Sequence, residues 1–248
     1  MFDLVNLANG RPLPEKATTK KVENALPDDH DGLETTKYLE NVKRAVSKIT
    51  GVTSASLGLH PAVYFYGRTG AFQPISFLAA IEFVYALEKA NKLKEFTRIR
   101  SDFERFLFEN KNFVSLTSNR LGSGARSLNR IKELYLRVMC GFIEGKRAEE
   151  IKESLFADQD FSHLGVVKLP SPRAGLQNGA SGKFSSATKS AVYFRDAIVQ
   201  APKCAICNAI IHRNSLTFDH KTRRRDGGTG DMDNAQMAHP YCNTGYKS

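Results

Sequence analysis

The chain has 248 residues, 41% hydrophobic and 10% aromatic, enough apolar material for one large or two small packed domains. Its most apolar stretch, residues 71–87, is broken by Gln73, Pro74 and Glu82, and the start lacks a basic segment ahead of an apolar run. A membrane span and a secretory leader are therefore not expected, and a cytoplasmic location is. The formal charge is +10, but residues 164–248 hold twelve Lys and Arg against five Asp, net +7, leaving +3 for the rest. A field of that sign at one end steers polyanions and neutralises phosphates without choosing a sequence.

Residues 1–31, with Asn9-Gly10 and the acidic run Asp28-Asp29-His30-Asp31, read as a lead-in segment that is loosely ordered or locally helical. Thr35 or Thr36 can cap a helix running to about Ile49, its apolar face formed by Leu39, Val42, Val46 and Ile49, and Gly51 ends it. Residues 57–66 are aromatic and β-prone, and Gly67-Arg68-Thr69-Gly70 makes a turn. Pro74 then opens a long helix to about Ala90, with Phe77, Ile81, Val84 and Leu87 in its stripe. Helical patterns recur at 97–109, 127–143 and 148–156, separated by a loop at 119–124, so residues 32–163 are expected to form an α-helical domain. Within it the aromatic and aliphatic stripes read as core, and Cys140 as a buried core thiol.

From Pro170 to Ala187 the composition turns to Ser, Gly, Ala, Pro and Asn with interspersed cations, which predicts a basic flexible linker spanning about 164–189. A short helix from about Ser190 to Val199 follows, packing Val192, Phe194 and Ile198, and opens a final domain over 190–248. That last unit carries Cys204-x-x-Cys207, Asp219-His220, Asn234 and His239-x-x-Cys242-Asn243. Two cysteines joined by a distant His-x-x-Cys supply four nitrogen and sulfur ligands, the set a closed tetrahedral Zn²⁺ site requires. Carboxylate and amide oxygens beside a histidine suit Mg²⁺ or Mn²⁺ instead. Three cysteines in one motif fit metal ligation in a reducing compartment better than disulfides.

These pieces, with Gly227-Gly228 and Lys247, resemble the HNH nuclease family in its zinc-pinned, treble-clef form, over about residues 200–248. The departure is His239, where many members carry cysteine. Added to the α-rich N-terminal helical domain read from the apolar patterns, the resemblance implies a small C-terminal ββα-metal (HNH) zinc-containing nuclease domain. Residues 209–212 are expected as a strand, 215–218 as its return strand, and a final helix should hold Asn243 and Lys247. Cys204, Cys207, His239 and Cys242 would hold structural Zn²⁺, with His239 alternatively a catalytic histidine and His212 a competing ligand. By position in the family, His220 would be the general base, and Asp219 and Asn243 would hold one catalytic Mg²⁺ or Mn²⁺. Asn234 would orient the imidazole or brace the loop. Lys221, Arg223, Arg224, Arg225 and Lys247 would grip phosphates of the DNA partner.

The pieces Gly58-Leu-His-Pro-Ala-Val-Tyr-Phe-Tyr66, Phe77-Leu-Ala-Ala-Ile81, Phe96-Thr-Arg-Ile-Arg100 and Phe103-Glu-Arg-Phe-Leu107 are similar to the helical region of GmrSD-type restriction proteins. That likeness implies the C-terminal part of a larger anti-phage effector acting on modified or phage DNA, with a nucleotide-dependent partner domain or a homo-oligomer completing it. A rival expectation is a zinc-stabilised nucleic-acid-binding module without catalysis.

Overall fold

The computed structural model describes residues 2–11, 13, 29–122, 124–166 and 182–247. Most of the expected linker lies outside them. The helices run in order α1 (Phe2–Ala8), α2 (Leu33–Thr50), α3 (Pro61–Tyr64), α4 (Pro74–Lys89), α5 (Leu93–Glu109), α6 (Asn112–Leu121), α7 (Ala125–Ile143), α8 (Ala148–Ala157), α9 (His163–Val166) and α10 (Ser186–Val199). Strands β1 (Thr217–His220) and β2 (Ala235–Ala238), three short 3₁₀ turns and a C-terminal π-helical turn complete the described elements.

Helix α4 is apolar nearly all round, and the fold uses it accordingly: Leu78, Ala79, Ala80, Ile81, Phe83 and Val84 are all buried, with α7 and α2 packed against it. The amphipathic helices α5 and α7 close around it. Their meeting point is a nest of aromatic rings in which Phe83 stacks on Phe103 at 5.6 Å and meets Phe96 and Tyr135 edge-on. Offset and edge-to-face pairs of this kind add about 0.5–1.5 kcal/mol each beyond the area they bury. Ser76 occupies the same core because its hydroxyl is fully engaged, donating to the Tyr64 carbonyl at 2.5 Å and lying 3.0 Å from the Tyr135 hydroxyl.

Several expectations are corrected. The β-prone segment 57–66 contains the short helix α3 instead, because Pro61 sits at its first position and the His60 ring nitrogen Nδ1 accepts from the Ala62 amide. On α2 the buried positions are Ala45 and Ile49, while Leu39 is exposed. Cys140 is exposed rather than core. On α10, Val192 lies in solvent, whereas Phe194 packs on Tyr66 with ring centroids 5.7 Å apart. The hairpin is also displaced. Residues 209–212 make only an isolated bridge, Lys203 to Ile210, and β1 pairs antiparallel with β2 in the register Thr217 to Ala238 and His220 to Ala235.

The C-terminal unit is docked onto the helical layer through backbone carbonyls of the loop that follows α2. Tyr241 N–H donates to Ser56 O at 2.9 Å, Thr244 Oγ1 to Ser54 O at 2.9 Å and Ser215 Oγ to Thr50 O at 2.5 Å. Under this loop lies Arg100, fully buried, donating to the carbonyls of Leu57 at 2.5 Å and Gly58 at 3.1 Å and to Glu104 at 2.7 Å. Burial opposes its charge, but Glu104 and the nearby thiols of Cys207 and Cys242 outweigh that and hold the guanidinium above its ordinary pKa.

Candidate metal and catalytic centres

Cys204, Cys207, His239 and Cys242 converge, all buried, with one potential ligand atom from each lying within 4.8 Å of every other. Local structure explains the convergence. Asn208 at φ +58° and the bond from Cys204 N–H to Ala209 O at 2.9 Å fold residues 204–209 into a knuckle. The turn after β2 brings His239 and Cys242 over it. His239 Nδ1 lies 3.4 Å from Cys207 Sγ and 3.8 Å from Cys242 Sγ. A tetrahedral ion with ligand bonds of 2.0–2.3 Å separates its ligand atoms by about 3.5–3.8 Å, so the cluster has the right size for Zn²⁺. The far nitrogen of His239, Nε2, sits 3.0 Å from Ile210 O. As donor to that carbonyl it leaves the Nδ1 lone pair for a metal. Crowding supports the same reading: Cys207 and Cys242 donate to Cys204 and drive its thiol strongly down, while their own are pushed up, Cys207 to about 11. A dication relieves that conflict by accepting all three thiolates.

His212, the competing ligand, is outside this cluster and lies edge-on to His60, ring centroids 5.4 Å apart. Burial drives His60 down to about 4, helped by the charges of His212 and Lys111.

Asp219 sits on the hairpin and Asn243 on the C-terminal turn beside it. Thr217 and Asp219 share one face of β1, and the C-terminal turn covers it. Asp219 is 8% exposed, and its Oδ2 accepts from Gln236 Nε2 at 2.8 Å and Lys247 Nζ at 2.6 Å. Burial raises its pKa, but these donors prevail and hold the carboxyl below its usual range. Both bonds use one oxygen, leaving Oδ1 for another partner. Asn243 lies in a single π-helical turn, Cys242–Tyr246, rather than in the expected regular helix. Its amide nitrogen donates to Phe218 O at 3.1 Å, which leaves the amide oxygen for coordination. Asp219 and Asn243 therefore offer the hard oxygen ligands that Mg²⁺ or Mn²⁺ takes.

His220 ends β1, and Arg224 Nε approaches its Nε2 at 3.4 Å. Asn234 spends its whole side chain on the loop that follows: Oδ1 accepts from the Thr222 amide at 2.7 Å, and Nδ2 donates to Thr222 O at 3.1 Å and Thr229 O at 2.7 Å. It braces that loop. Gly228 lies inside the brace, where a Cβ would fall 1.8 Å from Thr222 O. Most of the expected phosphate contacts have partners within the segment, Lys221 on Asp233 O at 2.7 Å and Arg223 on Lys247 O at 2.9 Å. Arg225 approaches Asp226 at 3.8 Å.

Residues 204–248 match the HNH endonuclease family model. The C-terminal segment is an HNH domain. Comparisons with curated proteins and with solved structures find no match. In the HNH segment the order of ligands along the chain had already implied the Cys₃His set. Gln236 was missed, because an isolated glutamine in a strand carries no spacing signal and only strand register places it opposite Asp219. Arg100 was missed for a related reason: its partners lie in another loop 42 and 43 residues away. No helix among the described residues is long and apolar enough to cross a membrane.

Proposed function

We propose that this chain is a metal-dependent DNA endonuclease. The observation that carries the reading is the pairing of two oxygen ligands, Asp219 on β1 and Asn243 on the turn beside it, with the His220 imidazole at the end of β1, all next to a Cys₃His clamp. Mg²⁺ or Mn²⁺ held by Asp219 and Asn243 would supply Lewis-acid stabilisation of the phosphate and of the departing oxygen. His220 takes the proton from water as that water attacks phosphorus and the bond to the 3′ oxygen breaks. Gln236 and Lys247 keep Asp219 ionised and oriented, and Asn234 holds the loop carrying Arg224 and Arg225 beside the phosphates.

A second reading, of a resting enzyme, is favoured by where two cations lie. Lys247 sits on Asp219, and Arg224 sits on the lone pair that His220 needs as a base. A DNA phosphate competes for Arg224 and frees the imidazole. Activity would then depend on DNA engagement or on assembly with a nucleotide-dependent partner, and the likeness of residues 58–107 to restriction proteins supports a role in anti-phage defence.

Plasmid cleavage with Mg²⁺ or Mn²⁺ tests the proposal. Replacing His220 with alanine should reduce the rate about 10²–10⁴-fold without lowering thermal stability. Equal cutting by both proteins refutes the assignment of the base.

A further inference from the structure

The hairpin inverts the usual alternation of its side chains. An antiparallel pair with one covered face normally turns apolar residues inward and polar ones to solvent. Here the face under the C-terminal turn carries Thr217, Asp219 and Gln236, while the outer face carries Phe218, 67% exposed, and Met237, 38% exposed. Register holds these two side by side. Phe218 pairs with Met237, and because Lys221 N–H donates to Asn234 O at 2.8 Å, the ladder alternation makes them a non-hydrogen-bonded pair, the kind whose side chains lie closest. On the other edge of β2, Met237 O accepts from Ala205 N–H at 2.9 Å, which anchors the strand to the knuckle and gives the ring a fixed base.

The same outer face holds the candidate base. His220 lies two residues beyond Phe218 on β1, so both point the same way, and Arg224 Nε, 3.4 Å from His220 Nε2, brings a cation to that side. Lys221, Arg224 and Arg225 are exposed just past the strand. An apolar ring beside a cluster of cations matches the two parts of a nucleic acid, its bases and its phosphates. Two strand residues span about 7 Å, roughly the rise of two base pairs, so a phosphate at His220 sets Phe218 within about two base steps of the cut.

We infer that Phe218, backed by Met237, is a wedge that enters a base step beside the scissile phosphate and stacks on the base it parts from its neighbour. This rests on the reading of the segment as a DNA nuclease, and adds to it a positioning residue and a preference. Apolar wedges work by unstacking a step, and pyrimidine–purine steps unstack most readily. Cuts therefore fall beside such steps, a preference that needs no contact with base edges.

The test uses the full-length chain prepared with Zn²⁺, first without Mg²⁺ or Mn²⁺. Its probe is a duplex of several TA steps with 2-aminopurine replacing adenine on one strand, a base whose emission rises when it is unstacked. Binding should raise that emission. Phe218→Thr, which removes the ring and keeps strand propensity, should bind at least about fivefold more weakly and abolish the rise, whereas Phe218→Trp should keep both. Since Phe218 is exposed, neither variant should shift the melting temperature. With Mg²⁺ added, the wild type should cut beside pyrimidine–purine steps and Phe218→Thr should cut without that preference. A rise without cleavage leaves the wedge standing and refutes the nuclease reading; cleavage without a rise does the reverse. An equal rise or equal affinity in Phe218→Thr, or no DNA binding by the wild type, overturns the inference. So does a dimer that Phe218→Thr dissociates, which assigns the face to a second copy of the chain.

Discussion

Gly58 is the point where the helical layer presses on the Cys₃His cluster, and replacing it with alanine measures that contact. Its φ is +59°, and a Cβ would lie 2.9 Å from Ser215 Cβ and 3.1 Å from Cδ2 of His239 in the cluster. The left-handed backbone costs a β-carbon roughly 1–2 kcal/mol. Overpacking against Ser215 and His239 adds roughly 1–3 kcal/mol, because Arg100 and the Leu57 and Gly58 carbonyls prevent the loop from backing away. The sum, about 2–5 kcal/mol, corresponds to a fall in melting temperature of about 2–4 °C per kcal/mol for a chain of this size. Gly145 supplies the control, since its φ is +77° but a Cβ there meets nothing within 4 Å. Gly145→Ala should show only the backbone cost. Thermal unfolding of both variants, with zinc release followed by a chromogenic chelator, makes the comparison. Gly58→Ala should melt lower and lose zinc sooner; equal melting of the two variants would refute the claimed coupling.

Cys242→Ser should unfold the HNH segment rather than merely weaken it, because a small unit draws much of its folding free energy from the metal; metal content by mass spectrometry and circular dichroism after chelation provide the readout. Acid should destabilise the fold through His60. Its folded pKa of about 4 lies below the ordinary 6.5, so the unfolded chain binds the extra proton between those values and stability falls as pH drops from about 6.5 to about 4. The loss is at most roughly 3 kcal/mol. His60→Asn, which keeps a capping acceptor, should flatten that slope in urea titrations, and an unchanged slope would count against the assignment. Asn234→Ala should accelerate hydrogen exchange at the Thr222 amide while leaving that of Lys221, which donates to the Asn234 backbone oxygen, protected. Cleavage should fall with it, and exchange unchanged at Thr222 would show that the loop does not need its brace.

Local chemistry made much of the molecule legible in advance. The helices from Pro74, near residues 127–143 and near 148–156 follow from three-and-four apolar spacing and from proline at a first turn, both properties of adjacent residues. The Cys₃His set is legible because ligand type and order survive in the chain whatever path the backbone takes. The failures have a common cause. Residues 57–66 have β-prone side chains, but Pro61 and the His60 cap settle them as a helix against α5. Residues 209–212 read as a strand, yet their backbone closes the knuckle with Pro202 and Cys204, leaving β1 to find its partner fifteen residues further on.

The sequence by itself determined the chemical inventory of this protein: a soft four-ligand set, hard oxygens beside a histidine, and positive charge at one end. Ligand identity and spacing are covalent facts. Only the tertiary structure decided how that inventory is used. It turned His239 so that Nε2 meets Ile210 and Nδ1 meets the thiols, gave Asp219 its partners in Gln236 and Lys247, and assigned Asn234 to the loop. It also buried Arg100 and Glu104 beneath the clamp, leaving one carboxylate oxygen of Glu104 buried without a donor. Those outcomes depend on groups far apart in the chain whose desolvation must be offset by hydrogen bonds, and that balance is struck only when the layers close.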